Sequence, residues 1–365
     1  MPPNSGVNKQ TELLLGSPYN KRIMEKEITI YDLAKILALS PATVSRALND
    51  HPAINAKTKA LIAEKAAELG YRSNTFASHL RTRKTNTLGV IVPRLNSNFM
   101  STVLAGMEEV ANNVGYNLLI SQSLESEMKE RANAKTMFNS RVDGLLVSVA
   151  YDTDSFGHFS TFINRNIPVL FFDRIMTHPQ CGAVLIDNEQ AGYQATRHLL
   201  DQGCRRLMHV TGDLRRNVYA DRFEGFKRAL AGQNLPLDNR LVLSTDLSQE
   251  TGRALAEEID QMQEQPDGLF IANDLCAAIC MQALKEKGYA IPEDIAIVGF
   301  NNDPVSQVVS PQLTTIFYPG YQMGKTAMTT MIGQLNGTKA IDHSEPIILR
   351  SELIIRRSST RLERL

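Results

Sequence analysis

The sequence predicts an α/β protein: a small all-α head followed by a two-lobed body of parallel sheets. Three observations predict it. Residues 28–72 hold three helical stretches with capping residues, a polar and basic joint follows them, and apolar runs alternate with amphipathic stretches from residue 87 onward. The chain has 365 residues, 43% of them hydrophobic, which is enough for two or three cores.

The "LLL" of "TELLLGSP" falls far short of the ~20 apolar residues a membrane span needs and lacks the features of a secretory signal. The expected compartment is the cytoplasm, with no membrane partner. Cys181, Cys204, Cys276 and Cys280 form no CxxC pair and read as packing thiols. Net charge is zero, but it is unevenly spread: residues 24–87 carry ten Lys/Arg against six Asp/Glu, and residues 88–365 carry 26 against 32. A basic head precedes an acidic body.

Residues 1–27 show no periodicity and several helix breakers, and are expected to be a disordered extension, with Met24 a candidate start. The head is expected over 28–72. "TIYD" at Thr29–Asp32 fits a capping box that opens a first helix with an apolar stripe of Leu33, Ala34, Ile36 and Leu37. After the turn "ALS", Ser40 caps a second helix whose first position is Pro41, where a missing N–H costs nothing. Its Val44, Ala47 and Leu48 face inward, leaving Pro41, Ala42, Thr43, Ser45 and Arg46 on the outer or leading side. Asn55 opens a third helix, with Ile54 as a staple, and Gly70 stops it.

Two short helices joined by a tight turn, with a third completing the core, is the helix-turn-helix plan for setting one helix in the major groove of DNA. Small leading residues let backbone amides and hydroxyls approach phosphates, and Arg46 offers a fork to a guanine edge. A plain three-helix bundle with a solvated face would show the same short pattern.

Residues 73–86 are expected to be a linker. Its front half, "NTFASHL", has Asn74 as a cap with Phe76, Ala77 and Leu80 on one side, too short a helix to stand without a partner. The body, expected over 87–357 with a tail at 358–365, shows the runs "TLGVIVP", "YNLLISQS", "VDGLLVSVA", "IPVLFFDR", "AVLIDN", "RLMHVTG", "DGLFIAN" and "IAIVGFN". Helical stretches between them imply parallel sheets covered on both faces, in two lobes with a ligand cleft at the carboxyl ends of the strands. Polar residues at such ends are the candidate ligand contacts: Asp173, Arg222, Asn273, Asp274 and Asn301. A carboxylate facing an arginine suits the hydroxyls of a sugar, and the arginine alone suits a phosphate or carboxylate.

The stretches "TIYDLAKILALSPATVSRALN", "ELGYRSNTFASHLRTRKTNTLGV", "FFDR", "RFEGFKRAL", "IANDLCAA" and "IVGFNNDPVSQVVSPQLTTI" resemble the lactose/galactose repressor (LacI/GalR) family of bacterial transcription regulators. The resemblance runs from Ile28 to Arg357. It implies a periplasmic-binding-protein-like body whose chain crosses between lobes near residues 187, 301 and 350. It also implies a hinge helix that folds on the operator as two chains meet, with Leu80 as the wedge that opens a base step and Ala77 as its small neighbour.

In the recognition helix, Pro41 and Ala42 match the variable base readers and Arg46 the usual basic contact, while Thr29, Ser40, Thr43, Ser45, Asn49 and Asn74 complete the implied DNA contacts. Asp173, Arg222, Asn273, Asp274 and Asn301 match effector contacts, and Phe99 an aromatic that stacks on the ligand. Ser73 stands where many relatives have proline, and Asn301 where many sugar-responsive relatives have aspartate, so the effector's identity does not carry over.

No cofactor is expected, and no enzyme. "GYQMGKT" at Gly320–Thr326 is one residue short of a phosphate loop, and GxSxG, HExxH and GxGxxG are missing. An exported sugar-binding protein would account for the body but would leave the basic head unused. The expected protein is a homodimeric, DNA-binding repressor on a palindromic operator, controlled by a sugar or sugar phosphate.

Overall fold

The computed structural model describes residues 28–71, 84–338, 341 and 345–361. Two compact units, Met1–Arg83 and Lys84–Leu365, divide the chain. The expected extension (1–27) and most of the expected linker, with Asn74, Ala77 and Leu80, lie outside the described residues.

In the head, α1 (Ile30–Ile36), α2 (Pro41–Leu48) and α3 (Ala56–Glu68) begin at Thr29, Ser40 and Asn55, whose side chains accept from the backbone N–H three residues on. Thr29 and Asp32 close a reciprocal capping box. Leu33, Ala34, Val44, Ala47, Ile62 and Ala66 are the buried core, with Ile54, Leu48 and Tyr71 packed against it. Ile36, expected in the apolar stripe, is half exposed, because the stripe of so short a helix is only Leu33, Ala34 and Leu37 wide.

The body holds two six-stranded sheets. The first comprises β1 (Thr87–Val92), β2 (Asn117–Gln122), β3 (Gly144–Val147), β4 (Val169–Phe172), β5 (Gly182–Ile186) and β11 (Ile347–Leu349), ordered β11-β5-β4-β3-β1-β2 and all parallel. The second comprises β6 (Leu207–Thr211), β7 (Val242–Ser244), β8 (Gly268–Ile271), β9 (Ala296–Asn301), β10 (Thr314–Phe317) and β12 (Glu352–Ile354). It is ordered β12-β10-β9-β8-β6-β7, with only β12 antiparallel.

Strand residues are apolar in both directions because helices cover both faces. In β1, Leu88, Val90 and Val92 face α4 (Asn98–Asn113) and α12 (Gly320–Leu335), while Ile91 faces α5 (Glu127–Asn139) and α6 (Ser160–Ile163). The second sheet lies between α7 (Asn188–Asp201) and α8 (Asn217–Ala231) on one side and α9 (Gln249–Gln261) and α10 (Asp274–Glu286) on the other. The short α11 (Val305–Val308) lies between β9 and β10.

The chain leaves the first sheet after Ile186, returns to it between Phe317 and Gly320, and leaves again between Leu349 and Glu352. The crossing expected near Asn301 is therefore displaced to Tyr318–Pro319. The polar run "NNDP" ends β9, but "TTIF" then pairs with β9 in parallel, holding the chain in the second sheet for one more strand. Two boundaries also move. Thr85 and Asn86, assigned to the linker, donate their amides to the Asp143 carboxylate (2.9 and 2.8 Å) and belong to the body. Ser358 and Ser359, assigned to the tail, are fully buried: Ser358 Oγ donates to the Ile297 carbonyl (2.6 Å), and Ser359 Oγ meets His198 Nε2 at 2.7 Å. Serines are small enough to follow the chain into the second sheet's edge and bond there.

The helices α4 and α12 cross through Gly106 and Gly324. A Cβ on Gly324 would lie 1.9 Å from the Val103 carbonyl oxygen, and one on Gly106 2.1 Å from that of Tyr321. Backbone that close leaves no side chain to reorient, so relief requires the helices to part. Gly324→Ala is expected to destabilise the body by about 1–3 kcal/mol through overpacking, read as a lower urea midpoint at an unchanged m-value.

Candidate functional site

On the head, α2 presents Pro41, Ala42 and Arg46 exposed, away from the buried Val44 and Ala47, with Thr43 and Ser45 half-buried beside them. Ser40 Oγ accepts from the Thr43 amide (3.1 Å), and the two hydroxyls lie 2.9 Å apart. Asn49 is exposed and donates Nδ2 to the Ser45 carbonyl (2.8 Å). The N-terminal end of α2 is thus small, hydroxyl-bearing and free of acidic residues, with a cation in its last turn. Thr29 is exposed, and its hydroxyl serves the cap of α1.

In the body, the expected ligand residues collect where the lobes meet. Asp173 follows β4 with φ +60°, a left-handed conformation that turns its carboxylate back into the protein. Its two oxygens accept from Tyr318 OH (2.7 Å) and Ser148 Oγ (3.1 Å), and its backbone carbonyl accepts from Asn217 Nδ2 (3.0 Å). Arg222, on α8, is 3% exposed. Its Nε donates to Asn188 Oδ1 (2.9 Å), and its guanidinium carbon lies 3.5 Å over the Phe300 ring. That cation–π contact partly replaces lost hydration, although burial still pulls the guanidinium below its ordinary pKa.

Tyr318 was not legible as a site residue, yet it borders everything else. It sits in the second crossing, donates to Asp173, stacks on Phe99 at 4.2 Å and meets Phe300 edge-on at 5.8 Å. Burial, and then the neighbouring Asp173 charge, push its phenol well above the usual range, so it remains a donor. Its outer side lines a cavity of about 260 Å³, together with Asn98, Phe99, Asn301, Asp303 and Tyr321. Phe99 and Asn301 therefore face this cavity, whereas Asp173 and Arg222 lie behind Tyr318.

Asn273 is the N-cap of α10, its Oδ1 accepting from the Cys276 amide (3.0 Å), and it is half-buried with its carboxamide nitrogen uncommitted. Asp274 differs from the expectation of a ligand contact. It is fully buried, and its oxygens accept from the Asp303 amide and the Thr315 hydroxyl, each at 2.7 Å. Its carboxyl is an internal brace for the β9–α11 loop. The motif "IAND" gave no sign of this, because Thr315 and Asp303 are distant in sequence.

A second set of contacts between the lobes was also missed. Arg174 is sandwiched by Tyr151 and Tyr219 and paired with Glu125 (2.8 Å), and the two phenol oxygens lie 3.0 Å apart. Burial lowers the Arg174 pKa, but Tyr219, Tyr151 and Glu125 outweigh it and raise it well above its ordinary value. Asn217 bonds across to Asp173 and to the Ile175 amide (3.0 Å), and Asn98 to Asp303 (2.9 Å). The spacing Asn217, Tyr219, Arg222 in "NVYADRF" is the one signal that could have shown several polar side chains leaving one end of α8.

Two domain families match this chain: bacterial regulatory proteins, lacI family, at residues 29–74, and the periplasmic binding protein-like domain at residues 196–359. Catabolite control protein A of Priestia megaterium is 31% identical over 310 residues, covering 85% of this chain and 93% of that one. The chain belongs to the lacI family of bacterial regulatory proteins. The transcriptional repressor PurR of Vibrio atlanticus is 28% identical over 335 residues, covering 91% of this chain and 98% of its own. In fold, the lac repressor dimer bound to operator and the anti-inducer ONPF superposes with a TM-score of 0.81 at 23% identity, over 92% of this chain and all of that one. This lacI-family member is accordingly a DNA-binding transcriptional repressor rather than an enzyme, with a helix-turn-helix head and a periplasmic-binding-protein-like body. The described residues include no helix long and apolar enough to cross a membrane.

Burial pushes the Asp274 carboxyl up to about 7 from an ordinary 3.8, against the lowering effect of Thr315 and with a further rise from Asp303. The folded state therefore holds this proton more tightly than the unfolded chain does. Its stabilising contribution is complete below pH 3.8 and is lost as pH rises towards 7. Denaturant titrations should show stability falling between pH 5 and 7.5 by about 1–4 kcal/mol, and Asp274→Asn should flatten that slope.

Proposed function

We propose that this repressor works in the cytoplasm as a homodimer on a palindromic operator, with an affinity set by a small-molecule effector, a sugar or sugar derivative, bound between the lobes of the body. The observation that carries the reading is the presence, in one chain, of an α2 with an exposed polar face and of a cavity lined by Phe99, Asn301 and Tyr318, with Asp173 and Arg222 buried behind Tyr318. In this reading Pro41 and Ala42 touch base edges by shape, Arg46 reads a guanine, and Thr29, Ser40, Thr43, Ser45 and Asn49 contact phosphates or neighbouring bases. Asn74, Ala77 and Leu80 form the hinge contact in the minor groove, Leu80 as the wedge.

The effector meets Phe99 and Asn301 first. It reaches Asp173 and Arg222 by taking the place of the Tyr318 hydroxyl on Asp173, which a sugar hydroxyl can do without leaving the carboxylate unsatisfied. Asp274 holds the loop that carries Asn301. Because Tyr318, Asn217 and Tyr219 all bond across the lobes, a ligand that favours one lobe angle shifts the whole set and with it the order of the heads.

Selection of bound duplexes from a random library at near-physiological salt should return a palindrome with a fixed centre; scattered sequences, with or without sugars and sugar phosphates present, would sink the operator reading. On the selected operator, Arg46→Ala should lose roughly 5- to 150-fold in affinity, as expected for a base contact worth about 1–3 kcal/mol. Leu80→Ala should weaken operator binding while leaving effector binding intact. Arg222→Ala should do the reverse, keeping operator affinity and losing the effector response.

A further inference from the structure

The ribbon "IILRSELII", residues 347–355, runs from β11 through the third crossing into β12 and reads nearly alike from both ends. About Ser351 as centre, Leu349 answers Leu353, Ile348 answers Ile354 and Ile347 answers Ile355, while Arg350 answers Glu352, its opposite in charge. Two copies laid antiparallel about a two-fold axis at Ser351 therefore set apolar residues against apolar ones and each charge against its opposite. A slip of two residues either way sets Arg350 against Arg350 or Glu352 against Glu352, so the charges fix the register.

The fold leaves this ribbon open. β11 and β12 are the outermost strands of their sheets, bonded only to β5 and β10, so each keeps an unpaired backbone edge among the described residues. Alternation of period two persists through the crossing: Ile347, Leu349 and Leu353 pack against the core, whereas Ile348 (52%), Arg350 and Glu352 are exposed. Ile355, just past β12, is 57% exposed. Among the described residues, neither the Arg350 nor the Glu352 side chain has an ion-pair or hydrogen-bond partner. Hollows of about 370 and 490 Å³ flank the crossing, each bordered by both charges, and give room for a partner's side chains. The edge at β2 is also open, but its "NLLISQ" has neither a charge nor this symmetry.

We infer that a second copy of this chain docks on the ribbon, β11 of each copy pairing antiparallel with β12 of the other, with Arg350 against the partner's Glu352 and Ile348 against the partner's Ile354. The first sheet of one body then continues into the second sheet of its partner, and four open strand edges are closed at once. This contact is additional to the pairing that brings two heads to one operator. Joined through it, two such dimers make a tetramer.

Sedimentation of the full-length protein at about 1–100 µM tests this, the range that suits a contact much smaller than the ~20–30 residues a side of a standard interface. The parent is expected to form tetramers at the upper end and to fall to dimers as salt rises. Arg350→Glu and Glu352→Arg each turn both cross-copy pairs into like charges, and each should weaken this step roughly tenfold or more. Mixed in equal amounts, the two variants set an acidic ribbon against a basic one, and association should return; the double variant should match the parent. Unchanged melting curves and operator affinity show that the variants are folded. The inference is overturned if the single variants associate like the parent, or if their mixture associates no better than either alone. A parent tetramer reduced to dimers leaves the operator dimer as read, whereas a parent dimer reduced to monomers keeps the ribbon contact and removes a separate operator-dimer face.

Discussion

Asp173 ends a parallel strand of the first lobe in a left-handed conformation, and each of its polar groups is taken by a different part of the body. The carboxylate receives Ser148 from its own lobe and Tyr318 from a crossing segment, and the carbonyl receives Asn217 from the second lobe. A carboxylate at this depth is tolerated only while such donors surround it. The lobe angle and the hydrogen bonding of Asp173 are therefore one constraint: parting the lobes strips donors from it.

The packing behind the cleft makes that constraint effective at a distance. Each lobe pairs two helices through glycines, Gly106 with Gly324 in the first and Gly192 with Gly225 in the second, where an added Cβ would come within 2.2 Å of the facing backbone. Helices so close move as a unit. Strain at the cleft is then absorbed less by either lobe than by the crossing segments.

The parts of this chain legible in its sequence are those governed by local rules. The caps at Thr29, Ser40 and Asn55 lie within three residues of the amides they bind, so spacing alone disclosed them. The continuous apolar runs marked strands buried on both faces, whereas β7 (VLS), β10 (TTIF), β11 (IIL) and β12 (ELI) each hold only two or three consecutive apolar residues and were not recognised. Asp173 stood out as a charge after a buried strand, and Arg222 as one at the front of a helix. Tyr318 did not, since an aromatic after a strand is ordinary core, and its role depends on Asp173, a long way back in the chain. Asp274 was misread for the same reason: its partners Asp303 and Thr315 are tertiary neighbours, and a buried acid at a helix start looks the same in sequence as an exposed one.

The three crossings between the sheets also bear on how the protein is made. β11 pairs with β5 to complete the edge of the first sheet, and α12 covers that sheet's inner face, yet both are synthesised after all of β6 to β10. The first lobe therefore waits on the ribosome with one edge unpaired and one face covered by α4 alone until residue 349 has emerged. The second lobe in turn lacks its edge strand β12 and the buried serines at 358 and 359 until residue 359 has emerged. Neither lobe can be finished alone, so nascent chains of this repressor would be exposed to chaperones and proteases until both late edge strands have emerged.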